Sequence, residues 1–188
     1  MAIKSPQKRN QPRKDKLAEL RFALAHHPFL QDLSTDHQEI LAGCARQTRF
    51  SGNTLILSQG DAADRFFLIE DGCVAVNADR KGEGAIRIQT LGAGDVLGWS
   101  WLFPSHFYHF SARTLEPTKT ISINAIQLRA RFHRVPDLGN VLVKRMAQVV
   151  VKRLESTQSQ LVEVSQIALR AQVQALQFAM SAEPASLG

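Results

Sequence analysis

Cysteine is nearly missing. Cys44 and Cys73 stand alone among 188 residues, with neither the paired spacing of a metal site nor the density of a disulfide framework. Two isolated thiols suit a reducing cytoplasm. Long apolar runs are missing too. None approaches the roughly 20 residues that span a bilayer, so no membrane association is expected. The N-terminus is basic, but no apolar stretch follows it, which excludes a secretory signal. A Walker loop, a spaced Ser/His/Asp set and paired carboxylates are also absent; Glu70-Asp71 reads as a turn beside Gly72. His106 and His109 lie three apart in a loop, and on a strand they would face opposite sides, so they make no metal site. These absences argue against an enzyme and against any cofactor.

The net charge of +6 is concentrated in one place. Residues 1–16 hold Lys4, Lys8, Arg9, Arg13, Lys14 and Lys16 against Asp15, a balance of +5 that leaves +1 for the other 172 residues. The basicity therefore belongs to a tail. Its composition cannot bury enough apolar surface to offset ordering, and residues 1–15 read as a disordered basic tail. Contact of that tail with nucleic acid is the competing reading. The remainder, with 44% hydrophobic residues overall, is globular in composition and long enough for a real core.

From Lys16 to Phe29, Leu17, Leu20, Phe22, Leu24 and Ala25 recur at rough helical spacing. Thr35 with Gln38 three residues on is a capping-box pattern, followed by Ile40, Leu41 and Cys44 on one face. The texture changes at Phe50. Eight of the eleven glycines lie between Gly52 and Gly98. Between them run short β-like segments at 54–58, 66–70, 73–78, 86–91, 110–115 and 118–124. "CVAVN" and "ISIN" alternate apolar and polar residues, as strands with one buried face do. Several short strands with turn signals and no interleaved helices predict a sandwich or barrel, not a parallel α/β sheet.

After a short basic segment at 125–134, Pro136 opens a helix that meets no breaker before Pro184 except Gly139. Val143, Ala147, Val150, Leu154, Thr157, Leu161, Val164, Ala168, Ala171, Ala175 and Phe178 alternate spacings of four and three. That is a heptad seam, the signal of a coiled coil, and its Val143–Val164 part is the convincing part. The expected divisions are a tail at 1–15, a β domain with N-terminal helices at 16–135, a long helix at 136–181 and a disordered tail at 182–188.

"LGAGDVLGWSWLFPSHFYHFSARTLE", residues 91–116, sets a glycine-rich turn before an aromatic wall. Of ten Phe, two Trp and one Tyr, six fall between Trp99 and Phe110. Upstream, "GDAADRFFLIEDGCVAVNA" at 60–78 joins Gly60-Asp61, Asp64, the apolar run Phe66-Phe67-Leu68-Ile69, Gly72, Val74 and Val76. With "LGAGDVLG" at 91–98, this stretch resembles the cyclic-nucleotide-binding domain family, the sensory module of the catabolite activator protein and the fumarate-nitrate regulator. The resemblance covers roughly residues 20–165. It implies a mainly β fold: a jelly-roll β-barrel, or double-stranded β-helix, with flanking helices and a long C-terminal dimerisation helix. It makes Gly60, Gly72, Gly92 and Gly94 structural turn glycines.

In that family a Gly-Glu pair opens a short helix and an Arg-Ser/Thr-Ala triplet opens the next strand. The glutamate accepts from the ribose, and the arginine pairs with the cyclic phosphate. Gly98 and Ser111-Ala112 match, with Ser100 in the same turn. The glutamate position holds Trp99 and the arginine position Phe110. A buried phosphate without its charged partner costs several kcal/mol, so the cassette reads as degenerate, its glycine turn inherited and its anion site filled or repurposed. Arg113 alternates away from Phe110 and would need a bulge to turn inward. Trp101, Leu102 and Phe103 match core positions, and Phe107, Tyr108 and His109 form an insert-like loop expected over the pocket mouth. Thr157 matches the hydroxyl residue that reaches the base from the long helix.

Family transcription factors continue with a winged helix-turn-helix. The 24 residues after Val164 show no recognition-helix pattern, so DNA binding is not expected. The resemblance implies a stand-alone homodimeric regulatory module with the dimer interface at Val143, Ala147, Val150, Leu154, Leu161 and Val164. It would act through a protein partner, with no nucleotide or an altered small-molecule ligand. The alternatives are true cyclic-nucleotide binding by a rearranged site, and a transcription-associated protein using its basic tail.

Overall fold

The computed structural model describes residues 11–80 and 84–181. The rest of the expected tails, 1–10 and 182–188, lies outside them. α1 (Gln11–His26) starts inside the stretch expected to be tail. Pro12 falls in its first turn, where a missing N–H has no helical partner to lose, and Arg, Lys, Leu and Glu are good helix formers. A single 3₁₀ turn (Pro28–Leu30) leads to α2 (Thr35–Ala42). Its N-cap is Ser34, whose Oγ accepts from the His37 N–H at 3.3 Å, one residue before the capping box expected at Thr35. Gln38 instead donates to the Leu33 carbonyl at 3.2 Å.

Eight strands follow: β1 (Ala45–Phe50), β2 (Leu55–Leu57), β3 (Arg65–Asp71), β4 (Val74–Arg80), β5 (Gly84–Leu91), β6 (Val96–Leu97), β7 (Ser111–Thr114) and β8 (Thr118–Asn124). They form two antiparallel sheets of four, ordered β1-β8-β3-β6 and β2-β7-β4-β5. The expected β-roll is there, but it is not closed into a barrel. β6 contributes two residues, pairs with β3 at Leu68↔Val96 and Phe67↔Leu97, and stays an edge. Phe66, Leu68, Ile69, Val74, Ile121 and Ile123 are fully buried in this core.

α3 (Ala125–Phe132) is capped by Asn124, whose side chain accepts from the Gln127 N–H at 2.8 Å. α1 and α2 touch β1, and α3 touches β3 and β8. α4 runs Pro136–Ser181. Its first turns belong to the compact unit ending at Met146: Leu138, Leu142 and Met146 are fully buried. There Arg145 donates to the Phe29 carbonyl at 2.7 Å and to the Gln31 carbonyl. From Ala147 the helix is a second unit by itself. Among the described residues, no helix-turn-helix is seen and no helix is long and apolar enough to cross a membrane.

Two turns require glycine. Gly72, at φ +94°, joins β3 to β4 so closely to the β7–β8 turn that a Cβ would sit 2.6 Å from Thr118 Oγ1 and 2.7 Å from the Pro117 oxygen. Gly98 ends β6 in the left-handed region (φ 86°, ψ 43°) and starts the 3₁₀ helix Trp99–Leu102. Gly60 and Gly94 also have positive φ. Gly92 differs from expectation: its φ is ordinary and a Cβ there would meet nothing within 4 Å. Its turn is held by the Asp95 carboxylate, which accepts from the Gly92 N–H at 2.8 Å.

Candidate ligand cassette between Gly98 and Ala112

Gly98 turns the chain so that Trp99 and Ser100 enter the 3₁₀ helix, and β7 returns at Ser111-Ala112 between β2 and β4. The fold therefore brings the matched residues into one region. What they do there is set by their partners.

Ser111 is buried, and its hydroxyl is used in both directions. Its Oγ accepts from the Gln59 N–H at 2.9 Å and donates to a carboxylate oxygen of Asp79 on β4. The Asp79 N–H donates back to Gln59 Oε1 at 3.0 Å. Gln59, Ser111 and Asp79 thus close a three-membered hydrogen-bonded ring. The group that the family resemblance would turn toward a phosphate is already capped by the chain's own anion. A phosphate set against Ser111 would have to displace that carboxylate or sit beside a like charge.

Trp99, half-buried, stacks on His109 with ring centroids 5.7 Å apart and planes at 14°. Phe103 meets Trp99 edge-on at 5.5 Å and His109 at 6.4 Å. Ser100 Oγ is within 3.3 Å of the His109 N–H and 3.1 Å of its Nδ1. Three rings and one hydroxyl therefore occupy the segment where a ribose acceptor would stand. Phe110 is half-buried and lies just before β7. Arg113, three residues on, does not replace it. Arg113 sends Nη1 to the Asn53 carbonyl at 2.8 Å, tying β7 to the β1–β2 turn.

The loop expected over the pocket mouth is stitched elsewhere. Tyr108 is buried; its backbone pairs with Gly60 and Asp61, and its hydroxyl donates to the Arg65 carbonyl at 2.8 Å. Burial, with the Asp64 carboxylate nearby, pushes its pKa up to about 12. Phe107 bridges to Ala62 and remains 55% exposed. Trp101, as a core residue, is 1% exposed and stacks on Phe66 at 5.2 Å. Thr157 belongs to the second unit, where its hydroxyl donates back to the Arg153 carbonyl at 2.9 Å within the helix. A groove of about 630 Å³ opens between α1 and β1, and one of about 560 Å³ between α2 and α3; the matched residues line neither.

Gln59 and Asp79 are the site residues that sequence reading missed. Each is a polar residue in a stretch of polar turn and strand residues, and the bond that matters joins positions 32 apart. No sequence signal joined them: it is the β4–β7 register, Asn77 opposite Ser111, that brings Asp79 near.

Residues 47–134 match the model of the cyclic nucleotide-binding domain. No curated protein sequence matches the chain. Among solved structures, a putative cyclic nucleotide-binding protein from Geobacter metallireducens GS-15 is similar at 24% identity, over 73% of this chain and 96% of that one, with a TM-score of 0.63. The Thermus thermophilus catabolite activator protein is similar at 20% identity, over 73% and 63%, with a TM-score of 0.58. The regulatory subunit of a cAMP-independent protein kinase A from Trypanosoma brucei follows the same fold at 22% identity, over 79% and 52%, with a TM-score of 0.60. The family match thus covers the segment from β1 to α3, and the solved structures share its fold.

Proposed function

We propose that this protein is a dimeric regulatory module in which the cyclic-nucleotide cassette has been replaced by internal contacts, so that it signals without cAMP or cGMP. It acts by binding a protein partner and not by catalysis. Cys44 and Cys73 are both free, which fits a reducing cytoplasm. The observation that carries the reading is the Gln59–Ser111–Asp79 ring beside Trp99 and Phe110. Two charge-assisted bonds are missing from the cassette, each worth about 1.5–3 kcal/mol. At about 1.4 kcal/mol per tenfold, their loss turns a micromolar site into a millimolar one or worse, before any repulsion from Asp79. The similar Trypanosoma brucei structure is the regulatory subunit of a cAMP-independent protein kinase A, which supports the idea that this fold can serve without cAMP. Dimerisation is assigned to the seam on α4, where Val143, Leu154, Leu161 and Val164 are 48–66% exposed in the single chain.

Tryptophan fluorescence tests this. Trp99 is half-buried and close to the matched cassette, so an occupied site would change its emission. cAMP and cGMP should give no saturable change below about 1 mM. Saturation in the micromolar range would mean that a rearranged site binds nucleotide.

A further inference from the structure

The distal part of α4 carries more apolar surface than a two-stranded coil can cover. Leu161, Val164, Ala168, Ala171, Ala175 and Phe178 continue the first seam. A second seam starts only at Val162 and runs through Gln166, Leu169, Val173 and Leu176, again alternating four and three. In the single chain Val162 is 57% exposed, Leu169 62%, Val173 45% and Leu176 64%. At about 100° per residue, the two seams flank a narrow strip of Ser165 and Gln172 and together span roughly two thirds of the helix circumference. A two-stranded coiled coil hides one seam and leaves the second in water. The preceding stretch, "KRLESTQSQ" at 152–160, has Leu154 as its single apolar residue, so the second seam has no proximal counterpart.

We propose that residues 162–176 form a dimer–dimer interface, through which the second seam of one dimer packs on that of another copy of this chain. The inference rests on the dimer reading above. Three features point to a second copy and not to a foreign helix. The surface lies beside the first seam, across the narrow Ser165/Gln172 strip, at the same level along the helix. Neither seam carries a charge that would select an unlike partner. Glu163 and Arg170 are the only charged residues from Leu161 to Phe178; both lie in the opposite polar strip and sum to zero, so like copies do not repel.

Sedimentation velocity and native mass spectrometry of the full chain, over a hundredfold concentration range, test it. The wild type should show species of at least twice the dimer mass that grow with concentration. Leu169→Glu/Leu176→Glu, on exposed positions, should stop at the dimer with unchanged helical circular dichroism. Leu169→Ser/Leu176→Ser is the milder check and should weaken the larger species at least tenfold. A wild type that stays dimeric throughout overturns this proposal and leaves the dimer intact. A monomeric wild type overturns both. Larger species that persist in both double variants, or double variants that fall to monomer, overturn the assignment of the second seam.

Discussion

Three residues show how local chemistry decides the outcome. Ser111 keeps the family's hydroxyl but has given both of its hydrogen-bonding directions to Gln59 and Asp79. Ser111→Ala should cost about 1 kcal/mol in urea denaturation, since it leaves the Gln59 N–H without its acceptor while Asp79 retains water. A loss above 3 kcal/mol would mean the ring is a core element and not a local cap. Gly72 is constrained by space as well as by φ. Gly72→Ala should lose at least about 2 kcal/mol, because the new Cβ meets backbone as well as a movable side chain. His27 is buried and neutral: its Nδ1 accepts from the Phe29 N–H at 3.2 Å, so its Nε2–H is the donor toward the Ile69 carbonyl at 3.3 Å. Burial lowers its pKa below the ordinary 6.5, against smaller opposing effects of Ile69 and Asp95. The unfolded chain therefore binds the proton first. The stability this residue contributes is present above about pH 6.5 and is lost as pH falls below that value, by at most about 1.4 kcal/mol per pH unit. His27→Gln should flatten the pH 7.5-to-5.5 difference in urea midpoints. An unchanged slope would place the titration on another group.

At the scale of elements, legibility followed side-chain pattern. The apolar alternation of β3, β4 and β8 was readable, because one face of each is buried in a core of Val, Ile, Leu and Phe. β1, "ARQTRF", was not: its Arg46 and Arg49 are exposed, it lies at a sheet edge, and its order comes from β8 through the run Ala45↔Ile123 to Phe50↔Thr118. β6 is too short to carry a period, and only its pairing with β3 makes it a strand. The start of α1 was hidden by charge, since a basic segment reads as solvated whether or not it is helical. The departure from the family's motif at Trp99 and Phe110 was legible because that motif fixes which types belong there. The Asp79 cap was not, because no local spacing joins it to Ser111. α4 was legible from its seam and its Pro136 start. Its anchor was not: Arg145 reaches the carbonyls of Phe29 and Gln31, more than a hundred residues away. Leu154→Glu on the first seam should yield monomer or aggregate in sedimentation, by placing two like charges in an apolar interface. An intact dimer would refute the seam.

For the whole molecule, our proposal is that a cyclic-nucleotide-binding fold has kept its architecture and closed its anion site from within. The fold depends on Gly72, Gly98 and the two sheets, none of which needs a ligand to be satisfied. Within the cassette the Ser111 hydroxyl is satisfied by Asp79 and Gln59 and the Ser100 hydroxyl by His109, while the buried Trp101 Nε1–H has no hydrogen-bond partner among the described residues. On this proposal, a module without nucleotide has no orphaned charge at Ser111. Isothermal calorimetry with cAMP is the direct measurement, on the wild type and on Trp99→Glu/Phe110→Arg/Asp79→Asn, which restores the two anchors and removes the competing carboxylate. The wild type should give no measurable heat of binding at tens of micromolar, and the triple variant should gain at least tenfold in affinity. Micromolar binding by the unmodified protein would contradict the proposal.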